Sequence, residues 1–193
     1  IIIYFSFMSY IWHKNNSMKF FKFILVLLIT VSITGCSNNN SNEPLFVLSN
    51  ANIAGTYDVT SHSLNTAIST TSNGITFEVG SIEANGDTFQ LDLVMKSNGT
   101  FTLNGAYRVV AVTKFVSGDQ VDKTEIINID SSGEFSINSL ENTITFSGTE
   151  GLLKGALDVT VFNENFFSLS KEEEVTDGNE TLDVSTRISF TRQ

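Results

Sequence analysis

The 193-residue sequence predicts an all-β protein, an antiparallel meander that closes into a barrel of about 8–10 strands, with a two-sheet β-sandwich as the alternative. Three observations carry that expectation. Apolar and polar residues alternate in run after run, which is the period of a strand with one wet face. Turn-forming dipeptides separate the runs at spacings of roughly 8–12 residues, as in sandwiches and barrels. No window shows a convincing 3.6-residue period.

The strands are expected in the following order. Gly55-Thr56-Tyr57-Asp58-Val59 opens the first. Ile75-Thr76-Phe77-Glu78-Val79 and Phe89-Gln90-Leu91-Asp92-Leu93 alternate, and Phe101-Thr102-Leu103 follows the turn Ser97-Asn98-Gly99. Tyr107, Val109 and Ala111 share one face. Phe135-Ser136-Ile137 and Ile144-Thr145-Phe146 flank a turn at Leu140-Glu141-Asn142, and Leu157, Val159 and Val161 alternate with Asp158 and Thr160. The last strand alternates longest, with Leu182, Val184, Thr186, Ile188 and Phe190 on one face. Asn73-Gly74, Asn85-Gly86-Asp87, Asn98-Gly99, Gly118-Asp119, Ser132-Gly133 and Asp177-Gly178 supply the turns, since Gly and Asn accept positive φ at little cost. Those breaks give nine to eleven strands. Ser63 to Ser72 is polar and lacks alternation, so it reads as a loop or a short helical lid. Consecutive hairpins favour up-and-down order, and a long meander manages its edges best by closing.

The first 36 residues are an address rather than a fold. Met18 to Cys36 runs from Lys19 and Lys22, through the apolar stretch Phe23–Ile33, to Ile33-Thr34-Gly35-Cys36. The apolar stretch is shorter than the ~20 residues a membrane-spanning helix needs and has the proportions of a secretory signal. The segment resembles the bacterial lipobox. That resemblance implies a signal peptide at 18–35, cleavage before Cys36, and acylation of Cys36 with palmitate-like chains. Membrane lipid is then a partner through Cys36. Several acyl chains anchor stably where one does not. The polar tract that follows Cys36 suits a tether over 36–49, and the barrel domain is expected over 50–193. Ser37, not Asp, follows the cysteine, and by resemblance to lipoprotein sorting rules this implies the outer membrane, facing the periplasm or the exterior. Residues 1–17 precede a signal that Met18 begins by itself, and they are read as upstream sequence translated from a wrong start.

Composition narrows function. There are 11 basic and 21 acidic residues, for a net charge of −10. That excludes a generic nucleic-acid partner, which needs clustered Lys and Arg. The single Cys excludes a disulfide framework and a Cys-rich zinc site. His62 is the only His outside 1–17, in Ser61-His62-Ser63, and nothing in the sequence supplies it with an orienting partner. No nucleophile elbow and no Gly-rich phosphate loop is present, so the chain is expected not to be an enzyme, with no catalytic residues, no metal and no cofactor. Glu172-Glu173-Glu174 with Asp177 and Glu180 lacks the spacing of a calcium loop and reads as a solvated acidic hairpin.

The mature chain resembles the bacterial lipocalin-like (calycin) lipoproteins. The resemblance rests on Gly55-Thr56-Tyr57, which matches the family's opening Gly-X-Trp with Tyr for Trp. It continues through Asn98-Gly99-Thr100-Phe101, Gly105-Ala106-Tyr107, and the hairpin from Ser132-Gly133-Glu134-Phe135 to Asn142-Thr143-Ile144-Thr145-Phe146. It implies a lipocalin-like barrel with a small apolar cavity, and it implies that Arg192 or Arg187 packs over Tyr57. The inward apolar set Phe77, Phe89, Leu91, Tyr107, Val109, Phe135, Ile144, Phe146, Leu157, Val159 and Phe190 either fills the barrel or lines a site for one small ligand. Two functions follow. One is a membrane-anchored envelope lipoprotein that binds a small hydrophobic molecule. The other is an envelope structural module with a filled core that binds another protein.

Overall fold

A computed structural model describes residues 46–147 and 151–193. Cys36, the signal over 18–35, the segment 1–17 and most of the expected tether lie outside the described residues. The described body begins at Phe46, so 46–49 belong to it rather than to a tether: Leu48 is buried, and the Ser49 side chain caps a four-residue helix, α1 (Asn50–Ile53), by accepting from the Asn52 amide.

Eight strands follow: β1 (Gly55–Ser72), β2 (Ile75–Met95), β3 (Thr100–Phe115), β4 (Gln120–Asn138), β5 (Thr143–Ser147), β6 (Gly155–Phe162), β7 (Phe166–Asp177) and β8 (Glu180–Arg192). Each pairs antiparallel with the next, and β8 pairs with β1, so the sheet closes into a barrel and the sandwich alternative falls. The meander and the up-and-down order are as the sequence predicts.

The strands are fewer and longer than the turn count suggests, because three expected breaks lie inside strands. Ser63–Ser72 is neither loop nor lid but the upper half of β1, paired on both sides. Its Thr and Ser content suits a strand whose neighbours supply the apolar contacts. Asn85-Gly86-Asp87 lies within β2, beside a bulge where the register shifts between Asp87 and Gln90 and Thr88 takes φ +51°. Ser132-Gly133 lies within β4. A Cβ on Gly133 would overlap the carbonyl oxygen of Ser147 on β5, so this glycine permits close strand approach rather than a turn.

The interior has two zones. At the closed end, Ile53 of α1 plugs the barrel beneath Tyr57, Leu93, Leu103, Ile144, Phe167, Leu169, Ile188 and Phe190, all fully buried or nearly so. Phe167 stacks on Phe190 at 4.4 Å and meets Tyr57 edge-on at 4.9 Å. Burying such rings stabilises by about 1.5–3 kcal/mol each. At the other end the barrel is open. β5 and β6 are short, so β4 meets β5 only over Glu134–Asn138 and β7 meets β6 only from Phe167 to Ser170. Above them, Gln120–Asp130 of β4 and Lys171–Asp177 of β7 run on without a neighbour on that side among the described residues. Among the described residues no strand lies between those edges. The upper half is therefore a curled sheet, β7-β8-β1-β2-β3-β4, forming a cup open at its mouth and along one side.

Candidate functional site: a cup above a filled core

Strand register decides which side chains face the cup. On β1 a bulge at Thr60 shifts the register against β8 between Val59 and Ser61. Tyr57 and Val59 face inward below the bulge. Above it the inward positions become His62, Leu64, Thr66 and Ile68, opposite Ile188, Thr186, Val184 and Leu182 of β8. The β2 bulge does the same: Leu91 and Phe89 face inward below it, and Gly86, Ala84 and Ile82 above it. On β3 and β4 the uninterrupted register puts Tyr107, Val109, Ala111, Thr113 and Phe115 on the face shared with Ile127, Glu125, Lys123 and Val121.

The expected inward set divides between the two zones. Leu91, Phe135, Ile144, Phe146, Leu157 and Phe190 are buried in the closed-end core, and Val159 packs against it. They fill the barrel rather than line a cavity. Tyr107, Phe89 and Val109 stand at the boundary, with Phe89 stacked on Tyr107 at 5.5 Å. Phe77 is a correction: it is 48% exposed and belongs to no core. Pairing of β3 to β2 stops at Gly80, so Phe77 lies beyond the end of β3, level with Thr70 of β1 and Glu180 of β8 at the rim. Its companions there are Phe115 (45% exposed), Val121 (55%) and Val175 (42%), inward-facing apolar side chains with nothing over them.

His62 lies at the floor of the cup. It is 9% exposed, meets Tyr107 edge-on at 5.5 Å, and its Nδ1 is buried with no hydrogen-bond partner. A buried polar atom left unpaired costs about 1–3 kcal/mol. Burial lowers the imidazole pKa, which keeps the ring neutral at pH 7, and it raises that of the Tyr107 hydroxyl. No simple alternation from Tyr57 would have pointed His62 inward, because the bulge at Thr60 reverses the parity.

The two free edges carry matching charges on their inner face. Lys123 pairs with Glu125 at 3.0 Å on β4, and Lys171 pairs with Glu173 on β7. Inward-pointing charges on an unpaired edge discourage edge-to-edge association. Glu172 and Glu174 are exposed on the β7–β8 hairpin, the solvated acidic hairpin the sequence predicts. Among the described residues no group of three or more His, Cys, Asp or Glu is placed to hold a metal ion.

Gly55, Tyr57 and Arg192 meet at the closed end, away from the cup. Arg192 lies over the Tyr57 ring, 4.8 Å from its centroid. Its Nη2 donates to the Tyr57 hydroxyl at 2.6 Å and to the Asn52 carbonyl at 2.7 Å, its Nη1 to Ala54 at 2.8 Å, and its Nε to Glu164 at 2.7 Å. The Tyr57 hydroxyl donates onward to the Ile53 carbonyl at 2.8 Å. Burial raises the Tyr57 pKa, and the Arg192 charge partly opposes this. A Cβ on Gly55 would overlap Arg192, so the glycine makes room for the guanidinium. Arg192, not Arg187, covers the aromatic ring, and the cluster is a clasp that joins α1, β1, β8 and the β6–β7 turn. No family model, curated protein or solved structure matches the chain.

Proposed function

We propose that this chain is a lipid-anchored envelope lipoprotein that binds a small hydrophobic molecule in the open cup. The observation that carries the binding role is the rim of exposed, inward-facing Phe77, Phe115, Val121 and Val175 above a floor of Tyr107 and Phe89. The filled closed end supports the scaffold and restricts the site to the upper half. The anchor rests on the lipobox-like Ile33-Thr34-Gly35-Cys36. The alternative, a protein-binding envelope module, draws on the same filled core.

The test uses the full chain produced in a bacterial host. The apolar dye N-phenyl-1-naphthylamine should brighten and shift to the blue on binding, and Phe77→Ser with Phe115→Ser should weaken that uptake at least fivefold. Radiolabelled palmitate should enter the wild type and not Cys36→Ser. A folded protein that takes up no dye overturns the binding role, and an unlabelled wild type overturns the anchor.

A further inference from the structure

We propose that the free edge of β7, Lys171–Asp177, takes up a basic, extended peptide of a partner protein as an added strand of the sheet. The proposal needs neither the anchor nor the cup ligand.

Two independent observations coincide on this edge. The first concerns the backbone. β7 pairs with β6 only as far as Ser170, and among the described residues nothing pairs with that side of Lys171–Asp177. The other side is paired with β8 over the whole stretch, which holds the edge extended. A row of unpaired N–H and C=O groups on an extended strand is a template for another strand. The second observation is charge. Glu174 lies directly opposite Asp183 and Asp177 directly opposite Glu180, acid against acid across the β7–β8 ladder. Like charges set opposite each other destabilise a sheet. Among the described residues no lysine or arginine forms an ion pair with any of the four. Lys171 is taken by Glu173, and Arg187 lies opposite Ser170. The free edge of β4 shows no such conflict: Asp122 and Glu125 lie opposite Val112 and Val109. A local rule broken at one place in a sheet is expected where a site serves function rather than stability.

The occupant follows from those charges. Glu172 and Glu174 stand exposed on the outer face of the edge, and with Glu173 and Asp183 they line a recess of about 440 Å³. An added strand sets its side chains beside theirs, so Lys or Arg at alternate positions meets both carboxylates. A second copy does not serve. Its β7 edge would set these acids against one another, and on its β4 edge Lys123 is already engaged by Glu125. The Lys171–Glu173 pair on the inner face keeps apolar strands off the same edge.

The experiment is fluorescence anisotropy of fluorescein-labelled Thr-Lys-Val-Lys-Val-Lys-Thr titrated with the full chain. Binding should saturate and weaken as salt rises. The same peptide N-methylated at every Lys and Val keeps its charge but offers no ladder donors, and it should bind about tenfold more weakly. Glu172→Lys with Glu174→Lys should also weaken binding about tenfold while keeping the far-UV circular dichroism of the wild type. Equal affinity for the N-methylated peptide would mean adsorption on an acidic surface and overturns the proposal. Unchanged affinity in the double variant, or no binding by the wild type, overturns it too. Should the variant not fold, amide hydrogen exchange of the wild type decides: the peptide should protect amides within Glu172–Thr176, and an unprotected β7 at saturation refutes the added strand. Uptake of N-phenyl-1-naphthylamine by the same samples reads the cup separately.

Discussion

Replacing Arg192 with Ala should unfasten the closed end. Its guanidinium donates to the Asn52 carbonyl in α1, to the Ala54 carbonyl just beyond it, to the Tyr57 hydroxyl, and to the Glu164 carbonyl in the β6–β7 turn. The Asn52, Ala54 and Tyr57 bonds are partly buried. Bonds from a charged donor contribute about 1.5–3 kcal/mol when dry, so about 1 kcal/mol each is a fair allowance for the two partly hydrated carbonyls. The contact with Tyr57 adds about 1 kcal/mol as a cation–π pair. The exposed bond to Glu164 adds little. Arg192→Ala should therefore cost about 3 kcal/mol. Arg192→Lys should cost about 2 kcal/mol, because an ammonium cannot serve carbonyls on two sides as a planar fork does. Tyr57→Phe in a double-mutant cycle should couple to Arg192 by about 1 kcal/mol. Urea unfolding followed by far-UV circular dichroism reads all three, since the only Trp, Trp12, lies outside the described barrel. With an m-value of ~2 kcal/mol/M, Arg192→Ala should lower the midpoint by about 1.5 M. A midpoint within 0.25 M of wild type, about 0.5 kcal/mol at that slope, would refute the clasp.

Three further outcomes test other parts of the structure. Phe167→Ala removes a fully buried ring stacked on Phe190 and should cost about 3–5 kcal/mol, whereas Phe77→Ala at the rim should cost under about 1 kcal/mol; similar losses would contradict the two-zone interior. His62 has a folded-state pKa below its unfolded value of ~6.5, so the unfolded chain binds more protons and stability falls as pH drops below that value, by at most about 1.4 kcal/mol per pH unit from this group. His62→Phe should lose that share of the acid sensitivity between pH 7 and pH 5, and identical midpoint shifts in both proteins would show that His62 is not buried. Lys123→Val with Lys171→Val strips the cations from the two unpaired edges and should promote concentration-dependent association seen by light scattering; a variant as monodisperse as wild type would mean that the edges are protected some other way.

How far the sequence reveals this arrangement depends on what interrupts alternation. Where it is unbroken, as from Leu182 to Phe190, the inward face is read directly and the strand lies where expected. Asn-Gly and Asp-Gly pairs locate hairpins correctly at Asn73-Gly74, Asn98-Gly99 and Asp177-Gly178. The same chemistry misleads at Asn85-Gly86-Asp87 and Ser132-Gly133, because a bulge and a close strand approach also select small or positive-φ residues. Local sequence does not distinguish these uses from a turn. The clasp is legible only through the resemblance, which implies Arg192 or Arg187 over Tyr57; strand register selects Arg192, the residue paired with Tyr57. The cup is not legible. It arises from the shortness of β5 and β6 relative to β4 and β7, a comparison that needs register, and His62 reaches its floor only through the parity change at Thr60.

The chain joins the barrel at the closed end. Phe46 packs against Phe162 with tilted rings 5.0 Å apart, beside a recess of about 350 Å³ that reaches Ser139 and Asn142. The mouth lies at the other end of strands as long as 21 residues, roughly 50 Å away once a barrel's usual tilt is included. If Cys36 holds the lipid, the ten residues from there to Phe46 reach at most about 35 Å. Under the proposed anchor, the attachment point and the mouth therefore lie at opposite ends of the barrel, and the proposed ligand enters at the end the tether does not join.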